Sequence, residues 1–417
     1  LLQETYLGKV QLIYVAPPYN TGNDFIYEDD FSVDREEYQR GAGEKDEEGR
    51  RLIDEERWKQ NSASNGRFHS DWLTMMYSRL KLSLNLLSEE GLILVSIDDG
   101  EIANLRRIGD EIFGPDNFVA TFIWEGGRKN DAKLASNGHD FMACWVKSRE
   151  FLQSKSTKWR ERKEGLEEIY KKEAELRAKY SSDFEACRKE LNSWFNSLSG
   201  NHPSVAHKHF SYFDNRGIYF PDNLRSPNPR PNLVFDWKGY KPHPNGWGYG
   251  KDRMKELDEQ NRLHYPETKD GRIKIKSYLH EHETWAPNTV FYQDRRVASK
   301  RLEQLLGPGI FPFPKDENVI SRFISTTVPS DALIVDFFSG SSSTAHAVMK
   351  LNAEDGGKRR HIMVQLPEPC DEKSDAYKAG YKSIAEIGKE RIRQIKYKGL
   401  KSLQSKVQRH GLYFSLN

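Results

Sequence analysis

The 417-residue chain is long enough to bury a sizeable core and to hold two domains, or one domain with insertions. Mean hydropathy is −0.81 and hydrophobic residues make up 36%, so a membrane span is excluded. Cys144, Cys187 and Cys370 are too scattered for a disulfide framework or zinc spacing, which fits a reducing cytoplasm, and a net charge of +2 makes the distribution of charge more informative than its sum.

Leu1-Leu2-Gln3-Glu4-Thr5 has neither an initiator methionine nor a signal peptide, and the chain is expected to begin inside a longer one. The apolar run Leu12 to Val15 predicts a strand that stops abruptly in Ala16-Pro17-Pro18-Tyr19-Asn20-Thr21-Gly22. Two prolines fix the backbone and leave carbonyls without neighbouring N–H groups, so this loop can aim acceptors, an aromatic face and an amide at one point. A plain strand-to-loop exit is the alternative. Asp24 to Asn65 is polar and without period, which predicts a long loop serving as a lid or flap. From Phe68, the spacing of Trp72, Met75, Met76, Leu80, Leu84 and Leu87 predicts an amphipathic helix, and Leu92 to Ile97 a buried strand. A helix over Glu101 to Phe113 and strands over Asn117 to Trp124 and Phe141 to Val146 follow, the strands joined by a flexible basic turn around Arg128, Lys129 and Asn130. Alternation of helix and strand predicts a parallel α/β sheet.

Lys155 to Ser199 is dense in charge, with apolar residues at loosely helical intervals, and predicts one or two long helices with solvated faces. From about His202 to Glu283, prolines and glycines break every long element except a helix from Lys251 through Leu263. Residues 201 to 300 hold 17 Lys and Arg against 12 Asp and Glu, with 15 aromatics and 7 of the 12 histidines. That mixture suits phosphate contact and base stacking. His207 with His209, and His280 with His282, lack a third ligand at fixed spacing, so no metal site is expected.

The final third returns to α/β character. Leu333 to Asp336 predicts a strand running into Phe337-Phe338-Ser339-Gly340-Ser341-Ser342-Ser343-Thr344 and then a helix, the geometry of a nucleoside-cofactor pocket at a parallel-sheet switch point. Small residues let a ligand approach the backbone, and Asp336 can accept from a cofactor amine or order the turn. A phosphate-binding P-loop is the competing reading, but it is not expected, because Gly-Lys-Ser/Thr is absent and no lysine follows until Lys350. Gln365, at the end of the next strand, can serve ribose hydroxyls or bond to backbone. A basic helix around Ile384 to Ile395 closes the sheet or meets a partner.

Pro17-Pro18-Tyr19-Asn20-Thr21, with the continuation Gly22 to Phe31, resembles the D-P-P-Y loop of amino-methyltransferases, in particular the modification subunit of type III restriction-modification systems. Ala16 stands where that family carries aspartate. Residues 336 to 344 resemble the family's D-P-F-x-G-S-G-T-T motif, with Phe337 for the proline and Ser342 for the second glycine. The similarity covers nearly the whole chain. It implies a doubly wound, mostly parallel Rossmann-like sheet with an inserted α+β target-recognition domain. The expected divisions are a catalytic-loop part over 1–150, a helical segment and insertion over 151–290, and a cofactor-loop part with a C-terminal helix over 291–417.

The implied reaction is methyl transfer from S-adenosyl-L-methionine to adenine N6 of a flipped-out base in double-stranded DNA. The resemblance places Ala16, Pro17, Pro18, Tyr19 and Asn20 at the catalytic position, with Asn20 either shaping the loop or contacting the base. It places Asp336, Phe337, Phe338, Ser339, Gly340, Ser341, Ser343, Thr344 and Gln365, with Pro314 and Lys315, around the cofactor. Arg128, Lys129, Asn130, His139, Trp247, Lys251 and Arg253 are expected against DNA. An alanine methyl accepts no hydrogen bond, so the chain is expected to be an impaired variant of its family, through a deliberate D-to-A substitution rather than as a natural pseudoenzyme. A catalytically dead DNA-binding scaffold and an RNA methyltransferase are the alternatives. A homodimer and an ATP-dependent restriction subunit are implied by resemblance only.

Overall fold

The computed structural model describes residues 2–21, 25–27, 58–60, 67–128 and 132–409, the side chains of 25–27, 58–60 and 398–409 excepted. Most of the long loop expected over 24–65 lies outside the described residues, as do Lys129 and Asn130; within that loop, Phe25–Tyr27 pairs antiparallel with Trp58–Gln60. The chain divides into two compact units, Leu1–Trp159 with Pro287–Asn417, and Arg160–Ala286.

The first unit begins with β1 (Val10–Val15), α1 (Phe68–Leu86), β2 (Leu87–Ile97), α2 (Ile102–Phe113), β3 (Phe118–Glu125) and β4 (His139–Val146). The second contains α3 (Leu166–Tyr180), α4 (Phe184–Ser197), β5 (Tyr212–Asp214), β6 (Gly217–Asp222), α5 (Lys251–Glu259), β7 (Leu263–His264) and β8 (Lys274–Tyr278). The chain then returns to the first unit with β9 (Val290–Tyr292), α6 (Arg295–Leu306), α7 (Glu317–Thr327), β10 (Leu333–Asp336), α8 (Ser343–Asp355), β11 (Arg360–Met363) and α9 (Ile384–Arg409).

Seven strands of the first unit form one sheet in the order β9-β3-β4-β2-β1-β10-β11. β1 is parallel to β2 and β10, β10 to β11, and β9 to β3, while β4 runs against both its neighbours. Alternate residues of β1 enter different cores. Val10, Ile13 and Val15 pack with Trp72, Met75 and Leu80 of α1, whereas Leu12 and Tyr14 pack with Ile320 and Phe323 of α7 and Val348 of α8. Burial on both faces is why this strand reads as a continuous apolar run. The expected doubly wound, mostly parallel sheet is therefore present. Leu12 pairs with Ile334 and Ile13 with Val335, so residues more than three hundred positions apart end their strands side by side.

Three boundaries differ from expectation. β2 starts at Leu87, directly after α1, and its register with β1 shifts between Val10 and Leu12. Gly91 permits that close passage, since a Cβ there would lie 2.7 Å from the Val10 carbonyl oxygen. The helix at Lys251 ends at Glu259, before Leu263 opens β7, and α9 runs to Arg409.

In the second unit, β7-β8-β6-β5 form an antiparallel sheet. One core gathers Ile169 and Leu176 of α3, Leu191 and Phe195 of α4, and Phe210 and Ile218; another gathers Leu224, Tyr240, Trp247, Met254, Leu257 and Ile273. Glu161–Arg162 pairs antiparallel with Thr284–Trp285, so the unit's first and last residues lie together. Two adjacent ends are what an insertion into another fold requires.

Candidate active site

The proline–aromatic loop leaves the end of β1 under fixed constraints. The Pro18 carbonyl accepts a hydrogen bond from Trp72 Nε1 at 2.8 Å, whereas the Pro17 carbonyl has no hydrogen-bond donor among the described residues. Asn20 adopts the left-handed backbone conformation (φ 59°), which asparagine tolerates better than most residues. Its amide donates to Glu101 Oε1 at 2.6 Å and to the Phe68 carbonyl at 3.3 Å, and it is 4% exposed. Asn20 does not line the cavity, and of the two roles, shaping the loop or contacting the base, its bonds serve the first.

Tyr19 is held at its hydroxyl end. Its O–H donates to Asp140 Oδ2 at 3.0 Å, the same oxygen receives Lys315 Nζ at 2.8 Å, and Lys315 also meets the Tyr19 hydroxyl. Arg295 lies 3.2 Å from the other Asp140 oxygen. Burial alone would raise the Asp140 carboxyl, but Lys315, Arg295 and Tyr19 outweigh it and hold the group below the ordinary carboxylate range. Burial draws the Lys315 ammonium below its ordinary value, with Asp140 opposing that shift. Burial, followed by the charge on Asp140, pushes the Tyr19 phenol well up, so it remains a neutral donor.

The second loop leaves β10. Asp336, 3% exposed, accepts from the Phe338 N–H at 3.0 Å and from Thr344 Oγ1 at 2.6 Å. Of the two expected roles for Asp336, ordering the turn is the one its contacts serve. Burial raises its carboxyl to about 7 against those two hydrogen bonds. Gly340 (φ 47°) and Ser342 (φ 60°) make the tight bend, and the Gly340 N–H donates to Gln365 Oε1 at 2.7 Å. Gln365 is therefore tied to backbone through its oxygen while still lining the cavity. Ser341 and Ser343 receive Arg391 at 3.0 and 2.8 Å, and the Ser343 hydroxyl donates to the Lys315 carbonyl at 2.7 Å. Phe337 packs against the core beside α1.

The two loops meet. Ala16, Pro17, Pro18 and Tyr19 line one cavity of about 750 Å³ together with Phe338, Gly340, Gln365, Pro314 and Lys315. Asp98, Trp124, His139, Asp140, Arg295 and Phe311 are among the other residues of its walls.

The residues expected against DNA are placed unevenly. His139 is in the cavity, with its ring edge-on to Phe141. Arg128 donates to Glu125 at 2.9 Å and lies over the Tyr292 ring. Lys251 is exposed, 5.5 Å from the Phe235 ring centroid, and Arg253 pairs with Glu256 at 2.5 Å. Trp247 is 2% exposed and donates to the Phe235 carbonyl, so it is a core residue of the second unit, which corrects its assignment as a DNA contact. Sequence reasoning missed the Asp140–Lys315 pair and Arg391, because the partners come from strand, loop and helix segments far apart in the chain.

A mostly parallel α/β sheet, with a small-residue turn and a proline–aromatic loop opening into one cavity at adjacent strand ends, defines an enzyme-like Rossmann architecture with its ligand site at the carboxyl edge. A family model described as DNA methylase matches residues 10–397, and the chain belongs to that family. It is 31% identical over 407 residues to the type III restriction-modification enzyme EcoP15I Mod subunit of Escherichia coli, a match covering 93% of this chain and 60% of that protein. It is 32% identical over 406 residues to the EcoPI Mod subunit of Escherichia phage P1, covering 94% of this chain and 59% of that one. The chain thus spans about 60% of the length of these curated relatives. Among solved structures, the cytosine-N4-specific PvuII DNA methyltransferase aligns at 12% identity with a TM-score of 0.38, covering 94% of this chain and 89% of that one.

Proposed function

We propose that this chain is the methyl-transferring part of a type III modification subunit that acts on adenine N6 in duplex DNA, and that Ala16 leaves it catalytically impaired. The observation that carries this reading is the convergence of the Ala16–Tyr19 loop and the Phe338–Gly340 turn on one cavity at the ends of β1 and β10. The residues fit S-adenosyl-L-methionine. Gly340 takes φ 47° and lines the cavity beside Phe311, so backbone without a side chain faces a ligand there, and the cavity falls in the range that holds small organic ligands. When bound, the cofactor supplies an electrophilic methyl group on a sulfonium.

The remaining steps belong to the chain. The target amine lies inside the duplex, and its lone pair is delocalised into the ring, so the base must leave the stack and its amine must be held by acceptors. The Pro17 carbonyl is available to accept one N–H. Tyr19 offers its ring for stacking, with its hydroxyl fixed by Asp140 and Lys315. The second acceptor belongs at position 16, where an alanine methyl offers none. Loss of one such preorganised partner costs about 3–4 kcal/mol, or roughly a hundred- to thousand-fold in rate.

Support for the type III assignment comes from the Mod-subunit relatives; support for duplex recognition comes from the basic, aromatic second unit. A dimer, an ATP-dependent restriction subunit and a cytoplasmic setting complete the proposal. The test is methylation of duplex DNA by the Ala16→Asp protein beside the unaltered chain, with N6-methyladenine as the product measured. A hundredfold or larger gain supports the proposal. Ala16 itself favours a second reading, a DNA-binding scaffold without catalysis, and an Ala16→Asp protein that binds duplex but methylates nothing would establish it.

A further inference from the structure

Within the second unit, the segment after β6, the 243–247 loop and the start of β8 enclose a cleft of about 400 Å³. Arg225, Arg272, Lys274 and His243 line it, above a floor of Leu224, Trp247 and Ile273. Arg225, Arg272 and Lys274 are exposed, and among the described residues no side-chain hydrogen bond or ion pair engages any of the three cationic heads. Three other cations of the unit are paired. Lys238 is neutralised by Asp258, Arg262 by Glu281 and Lys276 by Asp214. Burial, then Arg272 and Arg225, lowers the His243 imidazole from its ordinary value, so both guanidiniums act on one point. His243 Nδ1 accepts the Asn245 N–H at 3.1 Å, which leaves the ring proton on Nε2 as a further donor.

The three unpaired cationic heads, Arg225 after β6 and Arg272 with Lys274 at the start of β8, repel one another, and an anion seated between them relieves that repulsion. The side chains favour phosphate over a base. Trp247 forms the buried floor and presents no stacking face, and Asp222 is the only carboxylate in the lining. We propose that this cleft seats the phosphodiester backbone of duplex DNA and positions the inserted unit without reading sequence. The inference rests on the DNA-methylase reading and assigns that reading's phosphate contacts to residues other than Trp247, Lys251 and Arg253.

The test compares the full chain with an Arg225→Ala/Arg272→Ala/Lys274→Ala variant, measuring affinity for duplexes of one length and several sequences across a salt series. Because the three side chains are exposed and unpaired, the variant should unfold at the same temperature and bind S-adenosylhomocysteine as the unaltered chain does. The slope of log K against log salt should become shallower by about 2–3, near 0.9 per phosphate released, with the same fold-loss for every duplex. An unchanged slope overturns the proposal, as does a loss confined to particular sequences, which would make the cleft a base reader. Lost binding of inorganic phosphate with duplex affinity intact would assign the cleft to a free anion and overturn it too. An unaltered chain that binds S-adenosylhomocysteine but no duplex would defeat the DNA reading itself, and this site with it.

Discussion

Position 16 and the Tyr19–Asp140–Lys315 cluster make opposite contributions at the residue scale. In the proposed reaction Ala16 offers no side-chain acceptor, while the cluster holds the Tyr19 ring by its hydroxyl. Asp140→Asn would leave the Lys315 ammonium without its carboxylate; since Lys315 is partly exposed, the loss of stability should be about 2 kcal/mol, below the range for a fully buried pair. Denaturant titration checks this. The held-down carboxyl gives a definite sign: its stabilisation is present above the unfolded value, near 4, and is lost as acid protonates the folded group. The Asn variant should therefore lose less stability than the unaltered chain on acidification below pH 4. Asp336 works the other way. Its folded value near 7 exceeds the unfolded one, so stability falls as pH rises from about 4 to 7, and Asp336→Asn should flatten that dependence in melting curves. Sequence showed Asp336 at a strand's end but not its burial, because Thr344 closes over it only once the turn folds.

At the scale of elements, α9 braces the turn after β10 that the proposal assigns to the cofactor. Arg391, 1% exposed, reaches Ser341, Ser343, His346 and Glu317, and Glu317 is also bound by Arg301 of α6. One helical turn earlier, a Cβ on Gly388 would lie 2.5 Å from Ser342 Oγ and 3.0 Å from the Gly340 carbonyl. Gly388→Ala must displace a bend already committed to positive φ, at about 1–3 kcal/mol. It should weaken S-adenosylhomocysteine about tenfold or more in calorimetry while far-UV circular dichroism is unchanged. Unaltered affinity would show that the turn does not depend on the helix. The sequence announced a basic helix here and left its role open between closing the sheet and meeting a partner. A lone arginine in a charged helix carries no mark of burial until its distant partners are known.

For the whole molecule, the sequence was most legible where one local signal suffices. The β1 apolar run breaks at prolines, and Leu333–Asp336 enters a run of small residues, so both loops could be placed. Their adjacency came from family resemblance, because strand order is nonlocal. The inserted unit was legible as composition, yet composition cannot tell the buried Trp247 from a surface aromatic, nor the unpaired Arg225 from the paired Arg262. With two cores of its own and terminal segments that pair with each other, Arg160–Ala286 should fold in isolation. A cooperative thermal transition of that fragment is expected, and a broad, non-cooperative one would show that the rest of the chain supports it.

The most direct measurement is calorimetric titration of S-adenosylhomocysteine into the unaltered chain, the Ala16→Asp protein and a Gly340→Arg variant. One site per chain, similar in the first two and abolished by the arginine, is the predicted result; it would place the cofactor at the β10 turn and leave position 16 as the missing catalytic group. No binding to folded protein, or binding that survives Gly340→Arg, would contradict the account.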